Sequence, residues 1–203
     1  MKKFATFDGT CCDVGCSTGE FLSTIEWKGQ KFGMEINPAA SALAEKTGVD
    51  FSRSILTEES FFDAVLFRGT IQHLDQPFHY IQQSLKALKP GGVVFFIATP
   101  NTNSTVYKLF NDLPALDDRK NYYLPSDRNL TSILRNEGFK VLSTSYPYLS
   151  SPYASPFMDH IRFVANIFRP KKPTFAFWRS MMDIAAQKPI EHILGTGTST
   201  PAS

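Results

Sequence analysis

The chain has 203 residues, of which 42% are hydrophobic and 20% charged, and its formal net charge is +2. That length predicts one domain with its own core. The small and scattered positive charge argues against a nucleic-acid groove, and no apolar run is long enough to predict a membrane-spanning helix. The start lacks the apolar stretch of a signal peptide. Cys11, Cys12 and Cys16 have neither C-x-x-C spacing nor a nearby histidine. We therefore expect reduced thiols in a cytoplasmic protein, and no metal site.

Strand-like and helix-like segments alternate over the first 150 residues. The predicted strands, in order, are "TCCDV", "KFGMEI", "VDFS", "FDAVLFRG", "VVFFIATPN", "KVLSTSYPY" and, later, "RSMMDIAAQKP". The predicted helices are "GEFLSTIEWKG", "NPAASALAEKTG", "QPFHYIQQSLKALKPGG" and "SDRNLTSILRNEGF", the last with Ser126 as N-cap and Gly138 beyond its end. This order predicts an α/β fold with a doubly wound, mostly parallel, seven-stranded Rossmann-like sheet.

The alternation is interrupted before the last strand. We divide the chain into a core over 1–148, an inserted helix and aromatic connector over 149–180, a last strand over 181–194 and a disordered tail over 195–203. The stretch "SPFMDHIRFVANIF" predicts a helix with Phe157, Ile161, Val164 and Phe168 on one side. That side could pack over the sheet edge, cover a substrate, or contact a membrane surface.

The stretch "DVGCSTG" after the first strand admits three interpretations. Its G-x-S-x-G pattern is that of a hydrolase nucleophile elbow around Ser17. Only 16 residues precede that serine, too few for the strands and oxyanion loop that an elbow needs upstream. The dinucleotide pattern G-x-G-x-x-G fits poorly, because its second and third glycine positions hold Ser17 and Glu20.

The third pattern, acidic-x-G-x-G-x-G, is met by Asp13, Gly15 and Gly19 with Ser17 as the one departure. Glu35 follows at the end of the second strand, where a carboxylate can accept hydrogen bonds from both hydroxyls of a ribose. A solvated strand-end charge is the alternative. The pattern favours binding of a nucleoside without a pyrophosphate.

In this combination the chain resembles the class I S-adenosylmethionine-dependent methyltransferases. The resemblance covers about Thr10 to Tyr148 and rests on "DVGCSTG", "GMEINP", "FDAVLFRGTIQHLDQP" and "LKPGGVVFFIATPN" in that order. The "HLDQP" turn and the "TPN" resemble a subgroup associated with bacterial glycan and small-molecule methylation. The resemblance implies S-adenosylmethionine as cofactor, S-adenosylhomocysteine as product, and methylation of an oxygen or nitrogen of a small molecule or sugar.

The resemblance also implies roles for individual residues. The cofactor residues it implies are Asp13, Gly15, Cys16, Ser17, Gly19, Glu35, Ile36, Ser54, Ile55, Arg68 and Gly69. Within that set, Glu35 would hold the ribose and Ile36 would pack on the adenine. Family members often place an Asp near the adenine amine, whereas this chain has Ser54 and Ile55, so that contact is absent or made by the backbone.

The resemblance indicates less clearly which residues would bind the methyl acceptor. His73 is the candidate general base, and a structural role for its ring is the alternative. The candidate acceptor residues are Asn101, Arg119, Tyr122, Tyr123 and Tyr146. Family members usually carry helices before the first strand, where this chain has about ten residues. We expect the aromatic segment 146–168, or a second copy in a homodimer, to replace that cover. A non-catalytic binding domain of the same fold is the alternative function.

Overall fold

The computed structural model describes residues 1–117, 119–149, 154–169, 171–175 and 178–190. Its strands are β1 (Cys11–Val14), β2 (Lys31–Met34), β3 (Phe62–Arg68), β4 (Leu88–Pro100), β5 (Lys140–Ser145) and β6 (Met181–Gln187). Its helices are α1 (Glu20–Thr24), α2 (Pro38–Lys46), α3 (Pro77–Ala87), α4 (Thr105–Phe110), α5 (Asp127–Asn136) and α6 (Pro156–Phe168), with a 3₁₀ turn at Ile71–His73. The predicted tail 195–203 and the end of the predicted last strand, 191–194, lie outside the described residues.

The strands of the described chain form one sheet in the order β2-β1-β3-β4-β6-β5. The first four strands are parallel, and β6 runs antiparallel to both β4 and β5. The predicted doubly wound, mostly parallel α/β sheet is therefore confirmed. The predicted third strand, "VDFS", is wrong as a full strand, because its only pairing in the described structure is one isolated bridge between Phe32 and Asp50.

The sheet has a hydrophobic core on each face. Leu22 of α1 and Ala44 of α2 pack with Leu66 on one face. Ile81 of α3 and Leu130 of α5 pack with the strand residues of the other face, which include the fully buried Phe67 and Phe96. Because both faces are covered, β3 and β4 are apolar almost throughout, as their sequences predict.

Helix boundaries follow local chemistry. The Asn37 side chain accepts from the backbone N–H of Ala39 and begins α2, with Pro38 in the first turn. Ser126 and Asn129 form a reciprocal capping box at the start of α5, and Gly138 follows its end with φ +94°. The helix predicted from "GEFLSTIEWKG" is shorter than expected, ending at Thr24.

The inserted helix is present as α6, between β5 and β6. Its half-buried Phe163 lies edge-to-face against Phe110 of α4, with ring centroids 5.8 Å apart, and against Phe175 at 6.2 Å. These rings belong to a small cluster separate from the two sheet cores. The face with Phe157 and Ile161 is exposed instead.

The end of β4 is bent by a bulge. The pairing of β4 with β6 shifts register between Phe96 and Thr99. Inside the bulge Ala98 has φ +50°, and its N–H donates to Asp183 Oδ1 at 2.8 Å. Such a bulge re-aims the strand end, here toward the loops that follow β1 and β3.

Candidate active site

The carboxyl ends of β1, β2, β3 and β4 meet at one edge of the sheet, where ligands bind in open α/β folds. The loop after β1 is held there by backbone bonds: the N–H groups of Gly15 and Cys16 donate to the carbonyl oxygen of Met34 at 2.7 and 3.1 Å. Gly15, Ser17 and Gly19 have φ values of +76°, +50° and +73°. Two of these three left-handed positions are glycine, as this conformation favours.

Two glycines of the loop leave no room for a side chain. A Cβ on Gly15 would lie 2.5 Å from Thr70 Cγ2, just beyond β3. A Cβ on Gly19 would lie 2.6 Å from Thr47 Oγ1 and 3.1 Å from the Cα of Ala44. The loop is therefore packed against the end of β3 on one side and against α2 on the other.

Glu35 joins the loop to the end of β2. Its Oε2 accepts from the N–H of Ser17 at 3.0 Å, and its Oε1 accepts from the N–H of Asn37 at 2.8 Å. A carboxylate has about four acceptor positions, so each oxygen can still accept a hydroxyl. The neighbouring Ile36 is 100% exposed, an apolar side chain available to a flat ring.

Asp13 is buried beneath this loop, at 2% exposure. Its Oδ1 has no hydrogen-bond partner among the described residues. Burial raises the pKa of Asp13 to about 7, and the positive charge of Arg68 counteracts part of that rise. The Arg68 guanidinium lies over the ring of Phe21, 4.9 Å from its centroid. A buried carboxylate with an unpaired oxygen suits a cationic ligand group.

Neither nucleophile in the loop is activated. The backbone of Ser17 is bound by Glu35, and in the described part of the chain no histidine hydrogen-bonds its side chain. Burial, with the charge of Asp13 adding to it, raises the pKa of Cys16 to about 12, so the thiol stays protonated. The hydrolase interpretation of G-x-S-x-G gains no support from the structure.

The other predicted cofactor residues differ in their environment. Ile55 is fully buried in the core, its backbone included. Ser54 is half-buried in a turn, where its Oγ accepts from the N–H of Leu56 at 3.2 Å. Gly69, with φ +59°, donates its N–H to the carbonyl of Ile97 at 2.8 Å.

His73 joins two segments of this edge. Its Nδ1 lies 3.0 Å from the carbonyl oxygen of Lys120, and its Nε2 lies 3.3 Å from Gln72 Nε2. Because an amide nitrogen only donates, this arrangement requires the proton on Nδ1 and the lone pair on Nε2. The N–H of Tyr122 also donates to the carbonyl of Gln72 at 2.9 Å. The turn after β3 therefore holds the 119–123 segment in place.

The predicted acceptor residues on that segment point outward or pack locally. Arg119 pairs with Asp117 at 3.3 Å and is highly exposed, and Tyr122 is 72% exposed. The Tyr123 hydroxyl donates to Asn129 Oδ1 at 2.9 Å, and burial raises its pKa to about 12. These residues line the same edge without sharing a contact.

Asn101, at the end of β4, is fully buried. Its Oδ1 accepts from the N–H groups of Asn103 and Asp127, at 3.1 and 3.0 Å. Within the described ranges its Nδ2 has no partner. Asn101 therefore ties the end of β4 to the start of α5 and keeps one donor free.

A charged and aromatic cluster completes the edge. Asp127 Oδ2 accepts from the Tyr146 hydroxyl at 2.5 Å and from Arg179 Nη2 at 3.0 Å, while Oδ1 accepts from Asn103 at 2.7 Å. Burial alone would raise the pKa of Asp127, but these hydrogen bonds hold it below its ordinary value. The Arg179 guanidinium also stacks on the Tyr146 ring, 4.1 Å from the centroid.

An open cavity of about 420 Å³ lies beside this cluster. It is lined by Tyr146, Pro147, Tyr148, Leu149, Trp178 and Arg179. The Arg179 side chain is 55% exposed, so its remaining N–H groups are available to a ligand. Aromatic walls and one guanidinium suit a planar or sugar ring that carries an oxygen substituent.

Sequence reasoning missed Gln72, Thr70, Asp127 and Arg179. Arg179 comes just before the last strand, but only the antiparallel insertion of β6 brings it to the carboxyl edge of the parallel strands. Asp127 was recognisable as the first residue after the Ser126 cap, though nothing in the sequence shows its partners. Tyr146, which the sequence indicates as an acceptor residue, is a member of this cluster.

The residues at β1 and β2 fit S-adenosylmethionine. Asp13 offers an unpaired, buried carboxylate oxygen to an ammonium group, and Glu35 keeps free acceptor positions for a ribose. Ile36 offers an exposed apolar surface to adenine. The backbone around Gly15 leaves no space for a side chain between the loop and Thr70.

Comparisons with known proteins agree with this geometry. Residues 4–144 match a family of methyltransferase domains. A ubiquinone biosynthesis O-methyltransferase of Pseudomonas entomophila is 30% identical over 109 residues, which cover 48% of this chain and 47% of that protein. The matched segment thus spans about half of the curated relative.

Solved structures share the fold at low sequence identity. A [4+2]-cyclase, SpnF, has a TM-score of 0.65 and 20% identity, covering 93% of this chain and 78% of that one. A Thermotoga maritima protein described as a methyltransferase dependent on S-adenosylmethionine (SAM), a possible histamine N-methyltransferase, has a TM-score of 0.61 and 19% identity, covering 89% and 82%. A SAM-dependent methyltransferase from Archaeoglobus fulgidus has a TM-score of 0.62 and 18% identity, covering 92% and 89%.

The matched segment includes the glycine loop, Glu35 and the whole of β1 to β4. The family match covers more than half of the chain. The chain belongs to the class I S-adenosylmethionine-dependent methyltransferases.

Proposed function

We propose that this chain transfers a methyl group from S-adenosylmethionine to an oxygen or nitrogen of a small molecule or sugar. The observation that carries the proposal is the pairing of Ser17 with Glu35 above the buried Asp13. Together these groups place hydrogen-bond acceptors for a ribose and for an ammonium group at one edge of the sheet. The cofactor supplies an activated methyl group on a sulfonium, so the chain mainly has to align donor and acceptor.

Oxygen is the acceptor atom that we favour. The Pseudomonas relative is named as an O-methyltransferase, and the cavity beside Arg179 suits a ring with an oxygen substituent. Arg179 and Tyr146 would orient that ring from the side of β5 and β6. Asn101, whose Nδ2 is buried without a partner in the described structure, would donate to the acceptor or to the cofactor.

His73 is the candidate base for an acceptor that must lose a proton. Its Nε2 carries the lone pair that would accept the proton, and Gln72 Nε2 lies 3.3 Å from that atom. The ring also anchors the segment around Lys120, and since both ring nitrogens have partners, positioning is the role that we favour. The cytoplasm is the location that we propose, since all three cysteines are free thiols.

The cofactor assignment is tested by calorimetry with S-adenosylhomocysteine. We expect wild type to bind, and Glu35→Ala to bind about 5- to 150-fold more weakly, because hydrogen bonds to a charged group are lost. Glu26→Ala is a control, since that carboxylate is 76% exposed and pairs with Lys2 on the surface. Absence of binding by wild type would favour the non-catalytic alternative. Unchanged affinity of Glu35→Ala would show that Glu35 does not hold the ribose.

The acceptor class is tested with labelled S-adenosylmethionine and a panel of small phenols, aromatic carboxylates, amines and sugars. We expect label in an oxygen-methylated ring compound. Transfer only to amines would contradict the preference for oxygen, and transfer to none of them, despite cofactor binding, would contradict a small ring acceptor.

A further inference from the structure

Helix α6 buries polar residues and exposes apolar ones. Asp159 is 1% exposed and Asn166 is 9% exposed. Phe157, Ile161, Val164 and Phe168, by contrast, are 76%, 47%, 52% and 81% exposed. These four residues follow the spacing i, i+4, i+7, i+11 and so lie along one line of the helix surface. We call them the apolar stripe.

The buried polar residues fix which way α6 faces. Asp159 Oδ2 accepts from the Tyr148 hydroxyl at 2.7 Å and from the Ser155 N–H at 3.1 Å. Asn166 Nδ2 donates to the carbonyl of Lys171 at 2.9 Å. The Tyr148 bond, together with the packing of Phe163 on Phe110 and Phe175, holds this side of α6 against the protein. The helix therefore cannot rotate its apolar stripe inward without losing these contacts. The stripe is an outward surface of the folded chain.

The segment around the stripe has a net positive charge. Residues 154–179 carry five basic side chains and one acid. Two of the five are paired with acids outside the segment, Lys172 with Asp112 and Arg179 with Asp127, and counting those two acids leaves a local charge of +2. The one acid, Asp159, is buried and lies 3.5 Å from Arg162. The basic side chains of the segment are Arg162, Arg169, Lys171, Lys172 and Arg179. Trp178, a residue type common at membrane interfaces, is 56% exposed in the same region.

From these features we infer that α6 docks on the surface of an anionic lipid bilayer, with the apolar stripe inserted among the headgroups. Apolar residues on one face with cations beside them are the pattern of helices that lie in the membrane interface. A second copy of the chain fits less well, since a symmetric interface would bring two positively charged segments together. None of the described helices is long and apolar enough to cross a bilayer, so the contact is peripheral.

Docking would also orient the molecule. Trp178 packs edge-on against His160 of α6, with centroids 5.9 Å apart, and it lines the cavity beside Arg179. The membrane-facing helix and the cavity are therefore neighbours. A bilayer bound at α6 would lie next to the cavity.

Vesicle flotation with the purified full chain tests the inference. We expect the protein to float with vesicles of phosphatidylcholine and phosphatidylglycerol, more weakly with phosphatidylcholine alone, and less as salt is raised. Phe168→Ser should weaken anionic-vesicle binding about tenfold or more, and Ile161→Ser by a smaller factor. Lys171→Glu should weaken it roughly 5- to 30-fold.

Leu43→Ser is the matched control, because Leu43 on α2 is 48% exposed, close to the 47% of Ile161. It should float like wild type. S-adenosylhomocysteine affinity, measured on every variant, separates a lost fold or cofactor site from a lost membrane contact. No flotation of a wild type that binds S-adenosylhomocysteine would overturn the inference. So would self-association of wild type in sedimentation that Phe168→Ser abolishes without any vesicle binding.

Discussion

Two residues at the cofactor edge have conformations or surroundings that lower the stability of the folded protein. Asp13 is a buried carboxylate with one oxygen unpaired in the described structure, and Ser17 has a left-handed backbone conformation that glycine adopts more easily. Both lie in the segment that the cofactor would contact. Residues of this kind favour ligand binding at the expense of the free protein's stability.

Asp13→Asn should therefore stabilise the free protein in a pH-dependent way. The pKa of Asp13 is raised from 3.8 to about 7 in the folded state. Wild type thus loses stability as pH rises from about 4 to about 7, because the unfolded carboxyl ionises first. The asparagine variant avoids this loss, which is at most about 4 kcal/mol.

Urea unfolding of both proteins from pH 4 to pH 8 checks the expectation. The stability difference should grow with pH and level off above about 7, and S-adenosylhomocysteine affinity of the variant should fall. A difference that does not change with pH would show that Asp13 has an ordinary pKa in the folded protein.

His73→Ala separates positioning from proton transfer, once an acceptor is in hand. We expect a higher KM for the acceptor and an unchanged pH profile of kcat, because both ring nitrogens of His73 already have partners. A general base would instead lower kcat about 10²–10⁴-fold and remove the acidic limb of the profile. Leu43 lies on α2, and Leu43→Ser is the control for both KM and kcat.

At the scale of elements, the glycine loop depends on the turn after β3. The Gly15 position has φ +76° and would place a Cβ 2.5 Å from Thr70 Cγ2. Gly48 also has a positive φ, +88°, but a Cβ there would meet nothing within 4 Å. The two glycines share a conformation and differ in the space around them.

Gly15→Ala should therefore destabilise the chain more than Gly48→Ala. The Gly48 variant should lose only the left-handed backbone penalty of about 1–2 kcal/mol, and the Gly15 variant should lose clearly more. Adding Thr70→Ala should recover part of the difference in a double-mutant cycle measured by urea unfolding. Equal losses in the two glycine variants would show that the loop and the turn are not in close contact.

Much of the structure at the level of helices and strands could be predicted from the sequence. The order of six of the seven predicted strands, the Ser126 cap and the acidic-x-G-x-G-x-G loop follow from local chemistry that the sequence displays directly. Helix α4 lies in a stretch that the sequence patterns assign to no element. The third strand was predicted wrongly, because "VDFS" has strand propensity but only Asp50 pairs with β2. The partners of Asp127 could not be predicted, because they come from 19 and 52 positions away along the chain.

At the scale of the whole molecule, the candidate site has two halves with separate supports. The cofactor half is built on β1 to β3, and the acceptor half is built on β4 to β6 and α5. Asp127, Tyr146 and Arg179 form their network without a contact to the glycine loop in the described structure. The two halves should therefore respond separately to mutation.

Arg179→Lys tests that separation. A lysine keeps the charge but loses the stacking on Tyr146 and the planar donor geometry. We expect acceptor kcat/KM to fall about tenfold or more, and S-adenosylhomocysteine affinity to stay within about twofold of wild type. A methylation assay measures kcat/KM for the acceptor, and calorimetry measures S-adenosylhomocysteine affinity. Equal losses in both would mean that the halves are coupled.

The antiparallel insertion of β6 also sets the order in which the molecule can be assembled. Within the described sheet β5 pairs only with β6, and β6 is the last of the described strands to leave the ribosome. The sheet from β2 to β4 can form while the chain is still being made, whereas β5 must wait for the strand that separates it from β4. We therefore expect a nascent chain to gain its cofactor edge first. The network of Arg179 with Tyr146 would then form only after β6 has been made.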